Sequence, residues 1–217
     1  SIMSFTYATL KTAIQDYSES TETTFVTHLP DFIKTAEERI LKAVQLDYFV
    51  KNVTGTATAS DQYLGAPSDY LSSRSLAVID SSSNYNYLKL KQTSFIRDYT
   101  PASATTGTPK YYAEFDHDTF ILAPTPSTNF TFELHYQYRP QSLTSSGDSP
   151  TWLSENAPNA MLYGSLSEAM MYLKNYEATP IYEQRFQESI VLLKNLGEGK
   201  NTRDTYRYDE VRRQPNA

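Results

Sequence analysis

Residues 130–139 read Phe-Thr-Phe-Glu-Leu-His-Tyr-Gln-Tyr-Arg and alternate apolar with polar side chains more cleanly than any other stretch of the chain. Successive side chains of a β-strand point to opposite faces, so one face here carries Phe130, Phe132, Leu134, Tyr136 and Tyr138. The reverse face is polar, which is typical of a half-buried strand in an antiparallel sheet. This strand predicts a sheet in the middle of the chain.

Strand-like patterns extend from this stretch over residues 49–150. A β-branched run covers residues 53–58, and short strand-like segments occupy residues 75–79, 85–90, 111–115 and 119–123. Asp116-His117-Asp118 separates the last two segments and is typical of a hairpin turn. We therefore expect residues 49–150 to form an inserted antiparallel β-sheet or small barrel domain, with one helical turn at residues 95–99.

The period changes to that of an α-helix on both sides of this zone. Apolar residues recur at spacings of three and four over residues 7–17, 33–44, 162–173 and 186–196, and Gly197 and Gly199 indicate the end of the last helix. Amphipathic helices must bury their apolar stripes, and the simplest way to do so is to pack these helices against one another. The sequence thus predicts an α+β fold in which residues 1–48 and 151–199 form an antiparallel four-helix bundle.

The composition of the 217 residues excludes several classes of protein. They are 39% hydrophobic and 20% charged and include no cysteine, which rules out disulfides, thiolate zinc sites and cysteine nucleophiles. The longest apolar runs fall well short of the roughly 20 residues that a membrane span needs. We therefore expect a globular protein with no membrane partner.

The C-terminal residues 200–217 differ from the rest in charge. They carry a net charge of +2 and the preceding residues −8, within a total of −6. An acidic body argues against a protein that grips nucleic acid over its whole surface. Residues 200–217 are polar and show no helical period, so we expect an extended tail that is flexible in isolation.

Arginine and tyrosine alternate along this tail, and both are enriched at interface hot spots. A solvated tail does not need tyrosines, so docking to a partner is favoured over disordered filler and over nucleic-acid contact. The candidate partner-binding residues are Arg203, Tyr206, Arg207, Tyr208, Arg212 and Arg213.

The familiar catalytic signatures are missing from the sequence, including phosphate loops, GxSxG and HExxH. Asp116, His117 and Asp118 could ligate a metal, as could Glu133 with His135, but a turn and a polar strand face explain these residues better. His28 is best explained as a solvated residue before a helix. We expect no catalytic, cofactor-binding or metal site, and no enzyme.

Several short motifs, in this order and spacing, carry a family resemblance. They are Ala66-Pro67-Ser68-Asp69-Tyr70-Leu71 with Arg74-Ser75-Leu76, Gly107-Thr108-Pro109-Lys110-Tyr111-Tyr112-Ala113, Phe120-Ile121-Leu122-Ala123-Pro124-Thr125-Pro126, Thr131-Phe132-Glu133-Leu134-His135-Tyr136, and Trp152-Leu153 leading into Leu162-Tyr163-Gly164-Ser165-Leu166-Ser167-Glu168-Ala169. Over residues 7–196 the chain resembles bacteriophage head-to-tail adaptor (connector) proteins of the tail tubular protein A type, from short-tailed phages.

The resemblance implies a structural protein of the virion neck, assembled in the host cytoplasm. It implies a ring, commonly of twelve copies, beneath the portal protein, which continues the DNA channel used in genome ejection and gives the tail nozzle or tail tube protein its assembly surface. Double-stranded DNA would pass without specific binding. The helices would face the channel, the β domain would face outward, and the C-terminal candidates would contact the portal.

Two other interpretations remain open at this point. One is a stopper or tail-completion protein stacked one layer lower in the same neck. The other is a carbohydrate-binding or hydrolytic tail module whose β domain carries a cleft lined by carboxylates and aromatic rings.

Overall fold

The computed structural model of the chain describes the backbone of residues 3–44 and 48–212, with side chains as far as residue 195. Contacts divide the chain into a helical unit, residues 1–48 and 141–217, and a β unit, residues 49–140. Residues 141–150, which the sequence pattern grouped with the strands, belong to the helical unit by this division. The described residues are thus of the α+β class.

The described residues form seven α-helices, six of them in the helical unit. These six are α1 (Tyr7–Ser18), α2 (Thr23–Thr27), α3 (Leu29–Ala43), α5 (Trp152–Asn156), α6 (Pro158–Tyr172) and α7 (Thr179–Arg212). A 3₁₀ turn at Leu143–Ser145 precedes α5. The short α2 was not predicted, because its five residues are too few to show a helical period.

Local sequence explains where these helices begin. Thr6 caps α1 by accepting a hydrogen bond from the Thr9 amide at 3.2 Å, while the Thr9 hydroxyl accepts one from the Thr6 amide at 2.8 Å. Thr151 and Ser154 repeat this capping box at α5. Pro30 and Pro158 lie in the first turns of α3 and α6, where a missing N–H costs nothing.

Helix α6 is the centre of the helical unit and packs against α1, α3 and α7. A Cβ built on its Gly164 would lie 3.0 Å from the Ala36 Cβ and from ring atoms of Phe186, so glycine permits the close crossing of three helices. The buried residues of α6 lie all round the helix. The four-helix bundle expected from the sequence is not shown, because α6 is an enclosed helix and such a bundle is built from helices with one apolar stripe.

Helix α7 corrects the expected extended tail, because it continues through Gly197 and Gly199 as far as Arg212. Each glycine costs about 1 kcal/mol relative to alanine, but extending an existing helix needs no new nucleus. Asp204 and Asp209 each precede an arginine by three positions, a spacing that supports helices. Residues 213–217 lie outside the described residues.

The helices of the described ranges include none that is both long enough and apolar enough to cross a membrane.

The β unit contains ten strands and one helix, α4 (Thr93–Tyr99). The strands are β1 (Val50–Ala57), β2 (Tyr63–Gly65), β3 (Tyr70–Ile79), β4 (Tyr85–Tyr87), β5 (Lys89–Leu90), β6 (Thr106–Gly107), β7 (Tyr111–Asp116), β8 (Thr119–Ala123), β9 (Thr125–Pro126) and β10 (Phe130–Tyr138). Sheet A has the order β1-β10-β3-β4 and sheet B the order β2-β8-β7-β5, while β6 and β9 form a third, two-stranded sheet.

These sheets are not closed into a barrel and are not purely antiparallel. Sheet A is antiparallel throughout, whereas β5–β7 and β6–β9 are parallel pairs. The expected antiparallel sheet is therefore correct for sheet A, and the barrel is not observed.

Side chains from sheets A and B share one core, which includes Phe132, Leu134 and Tyr136 from β10 and Phe120 and Leu122 from β8. The predicted alternation of residues 130–139 is confirmed, since these three β10 residues are buried. The intervening residues of β8 face the opposite way and pack with Ile96 of α4. The β unit thus has three layers.

Candidate functional site

The C-terminal part of α7 carries five of the six predicted partner-binding residues. The backbone of Arg203, Tyr206, Arg207, Tyr208 and Arg212 is helical, their side chains are not described, and Arg213 lies outside the described residues. Residues 200–212 span about 20 Å at 1.5 Å per residue. Helical geometry places Arg203 and Arg207 one turn apart and Tyr208 and Arg212 one turn apart on another side. The five described positions therefore do not share one face.

The described root of α7 is fixed by an ion pair with α3. The Arg39 guanidinium donates hydrogen bonds to both carboxylate oxygens of Glu183, one of them at 3.0 Å to Oε2, and lies 3.8 Å from Glu168 of α6. Its central carbon, Cζ, also lies over the Phe186 ring, 4.3 Å from the ring centroid. A bidentate guanidinium is the strong form of such a pair. The contacts join three helices.

Neighbouring groups complete the hydrogen bonding of Glu183. Ser167 of α6 donates to Oε2 at 2.9 Å and Gln187 donates to Oε1 at 3.0 Å. The hydrogen bonds from Arg39 are the main reason that the pKa of Glu183 falls to about 2. Sequence reasoning missed this cluster, because Arg39 and Glu183 are 144 positions apart and no local pattern joins them.

A second carboxylate of the helical unit, that of Glu37, binds the start of the 3₁₀ turn that follows the β unit in sequence. Glu37 of α3 is only 6% exposed. It accepts hydrogen bonds from the Ser142 hydroxyl at 2.6 Å and from the Leu143 amide at 2.9 Å. Burial raises the pKa of Glu37, against the lowering effect of these two hydrogen bonds and of the nearby charge of Lys34. The contact anchors the 3₁₀ turn to α3.

In the β unit, Asp69 of the motif at residues 66–71 lies at a junction of strands. Its carboxylate accepts a hydrogen bond from the Tyr136 hydroxyl at 2.8 Å and lies 2.6 Å from the Lys51 ammonium. Its carbonyl accepts one from the Arg139 amide at 2.7 Å. Burial alone would raise the pKa of Asp69, but the hydrogen bonds from Lys51 and Tyr136 lower it. The motif therefore holds β1, β3 and β10 in register.

An apolar cavity of about 270 Å³ opens beside β1 in the β unit. Its lining includes Val53 and Gly55 of β1, Leu64 and Gly65 of β2, and Phe120 of β8, with no charged residue among the lining side chains. A Cβ on Gly55 or Gly65 would meet no atom within 4 Å, so the space at the two strands is open. Apolar clefts of this kind are common binding sites.

The predicted turn at Asp116-His117-Asp118 joins β7 to β8, and all three residues are exposed. The Asp118 amide donates to the Asp116 carboxylate at 3.1 Å, which is what an aspartate does in a tight turn. Their possible ligand atoms lie within 4.8 Å of one another. Exposed acidic groups of a turn have this arrangement without a ligand, so it carries no metal assignment.

The remaining histidines lie apart from this turn. His135 is half-buried beside Glu133 in β10, on the polar face predicted for that strand. His28 precedes α3, with Nδ1 3.0 Å from Asp31 Oδ2 and its ring 5.1 Å from that of Tyr172. His28 is exposed and immediately precedes α3, as expected of a solvated residue before a helix, and its ring also contacts that of Tyr172.

Comparison with known proteins adds one match. The family model described as SU10 adaptor protein matches residues 5–214, which include nearly all of both units. The search of curated proteins finds no match.

Proposed function

The chain belongs to the SU10 adaptor protein family, and from that premise we propose that it is a bacteriophage head-to-tail adaptor of the virion neck. In this proposal several copies form a ring beneath the portal protein, commonly twelve in adaptors of this type. The ring continues the DNA channel and provides the surface on which the tail nozzle or tail tube protein assembles. The chain has this structural task and is not an enzyme.

The observation that carries the proposal is the extent of the family match. It covers residues 5–214 and so includes the helical unit, the β unit and the C-terminal part of α7. A match confined to the β unit would have favoured the carbohydrate-binding or hydrolytic tail module instead. The resemblance to the tail tubular protein A type is a finer assignment within the same role.

The distribution of charge supports a conduit for DNA. Residues 1–48 and 141–199 carry 7 basic and 14 acidic residues, whereas the β unit carries 7 basic and 8 acidic ones. An acidic surface does not attract phosphates, so DNA would slide past it without sticking. We therefore propose that the helical unit lines the channel.

We propose that the C-terminal segment of residues 200–217 contacts the portal through Arg203, Tyr206, Arg207, Tyr208, Arg212 and Arg213. An extended tail would lose backbone freedom on binding, at about 1–2 kcal/mol per residue ordered. A segment that is already helical as far as Arg212 loses less. The ion pair of Arg39 with Glu183 holds the root of this helix in place.

Deleting residues 200–217 tests the portal contact. We expect the shortened chain to keep its fold, because the described core contacts of α7 end at Leu193, and to bind purified portal rings at least tenfold more weakly than the full chain. Native mass measurement with and without portal reports both binding and copy number. The matched control replaces exposed Lys174 and Arg185 by alanine, which removes two positive charges outside the segment. Full-strength binding by the shortened chain would show the docking role to be wrong.

The alternative role, a stopper one layer lower in the neck, differs from the adaptor role only in which protein the chain binds above it. If the purified protein binds no portal ring but binds an assembled portal–adaptor complex, it is the stopper. Turnover of a glycan by the isolated chain would overturn both structural roles.

A further inference from the structure

Strand β1 is a long free edge of sheet A. Among the described residues it pairs with β10 alone, and residues 51–56 are exposed without interruption. Proteins protect such edges with short strands, charges, prolines or bulges, because free backbone groups bind other strands. The other edge strands of sheets A and B, β2, β4 and β5, have three residues or fewer. In β1 the one charged residue is Lys51, and it is paired with Asp69.

The opposite edge of the same sheet is also free. Within residues 3–44 and 48–212, strand β4 pairs with β3 alone, and it carries Tyr85 and Tyr87, which are 50% and 66% exposed. No residue of β4 is charged, and none of residues 52–57 of β1 is charged, so neither edge repels the other. Tyrosine and threonine are among the residues that favour strands and pair well across them.

The strand order makes these two edges complementary. All three pairings in sheet A are antiparallel and the number of strands is four, so β4 runs opposite to β1. A second copy placed beside the first in the same orientation would therefore present β4 antiparallel to β1. Such an edge-to-edge contact uses two different surfaces and can close into a ring.

The residue register across sheet A defines which residues would meet. One row runs through Tyr85, Ile79, Thr131 and Thr56, and another runs through Tyr87, Ala77, Glu133 and Thr54. Continuing these rows without stagger places Thr56 beside Tyr85 and Thr54 beside Tyr87 of the next copy. Gly55 then lies opposite Asn86, in the row between these two, whose side chains point to the other face of the sheet.

We propose that β1 of one copy pairs with β4 of the next, in this register, so that sheet A continues from subunit to subunit. The occupant of the free edge is a second copy of this chain, and the inference rests on the ring proposed above. It names the contact that holds neighbouring subunits together. The added strand also runs along the mouth of the apolar cavity, whose rim includes Val53 and Gly55.

Cysteine cross-linking tests the register directly, because the native chain has no cysteine. Thr54→Cys and Tyr87→Cys are made in separate full-length chains, mixed on portal rings and oxidised. We expect a disulfide-linked pair, twice the mass of one chain, only in the mixture. The matched control is Val53→Cys mixed with Tyr87→Cys, because Val53 is exposed but neighbours Thr54 on the opposite face of the strand.

The outcomes separate this inference from the proposed function. If rings form on the portal but the Thr54–Tyr87 pair does not cross-link, the inference is wrong and the adaptor role stands. If Thr54→Cys alone cross-links, two β1 strands pair with each other and the inference is also wrong. If no ring forms on the portal, the proposed ring is wrong, and the proposed pairing of β1 with β4 fails with it.

A second pair of variants measures the strength of the contact. Thr54→Lys with Thr56→Lys places charges on the free edge, and we expect at least a tenfold lower yield of rings. Ala102→Lys with Ala104→Lys adds the same charge to an exposed loop of the same unit and should leave the yield unchanged. Equal yields from both double variants would overturn the inference.

Discussion

Glu37 and Glu183 are two carboxylates of the helical unit that bind a second element, and their pKa values shift in opposite directions. Glu37 is held by a hydroxyl and an amide, which are neutral donors, and the cost of burial dominates. Glu183 is held by the Arg39 guanidinium, and the hydrogen bonds to this cation dominate. The comparison shows that burial and the charge of the hydrogen-bond partner act together: the more buried carboxylate with neutral donors has the raised pKa, and the more exposed one beside a cation has the lowered pKa.

The largest expected effect comes from Glu37→Ala. The change leaves the buried Leu143 amide without its acceptor, and a buried unpaired donor costs about 1–3 kcal/mol. Urea unfolding followed by the fluorescence of Trp152 measures the loss, since this residue is the single tryptophan and lies in the helical unit. Glu37→Gln keeps one oxygen for the amide and should lose less. Equal losses for both variants would contradict this account.

Glu183→Gln should have a smaller effect, and one that depends on pH. The side chains of Arg39 and Glu183 are about one-third exposed, so water replaces part of the lost pairing and we expect about 1 kcal/mol at pH 7. The pKa of Glu183 is lowered from 4.5 to about 2 in the fold. Its contribution to the free energy of unfolding is therefore present above pH 4.5 and is lost as pH falls towards 2.

This contribution is measured by comparing Glu183→Gln with the unchanged chain in urea at several pH values. The difference between them should shrink as pH falls from 4.5 to 2. The contribution of Glu37 to the free energy of unfolding depends on pH in the opposite direction. Because its pKa is raised in the fold, this contribution is fully present below pH 4.5 and weakens as pH rises. A difference for Glu183→Gln that stays constant with pH would refute the lowered pKa of Glu183.

The smallest effect is expected from Arg39→Lys. Lysine keeps the charge but cannot make the bidentate contact with Glu183 or stack as well on Phe186. We expect a loss of about 0.5 kcal/mol in the same urea assay, within the range of a partly exposed pair. Arg39→Met removes the charge and should lose more. If the two substitutions are equivalent, packing and not charge holds α7 at this point.

Local patterns in the sequence were sufficient to predict strands and helices that are buried along one face, because buried side chains then recur at a regular spacing. The alternation at residues 130–139 predicted β10 because one face of that strand is buried along most of its length. The apolar spacing of Ile33, Ala36 and Ile40 predicted α3 in the same way. The C-terminal extent of α7 could not be predicted. Two glycines followed by a polar segment are local signals for the end of a helix, and these signals do not include the ease with which an existing helix is extended.

The residue types of the candidate sites could be read from the sequence, but their structural setting could not. The identity of the arginines and tyrosines at residues 203–213 is plain in the sequence, but their helical backbone is not. The free edge of β1 was also hidden, because a strand has an edge only after the order β1-β10-β3-β4 is known. No local signal distinguishes an edge strand with six exposed residues from one that a neighbour covers.

The sequence by itself determined the α+β class, the separation of strands from helices, the acidic body and the exclusion of cysteine chemistry, since each depends on composition or on a short period. Only the tertiary structure decided that α6 is enclosed, that Arg39 meets Glu183, and that β1 and β4 are the edges of sheet A. These features depend on contacts between residues far apart in the chain, and burial, partner charge and strand order exist only once those residues have come together.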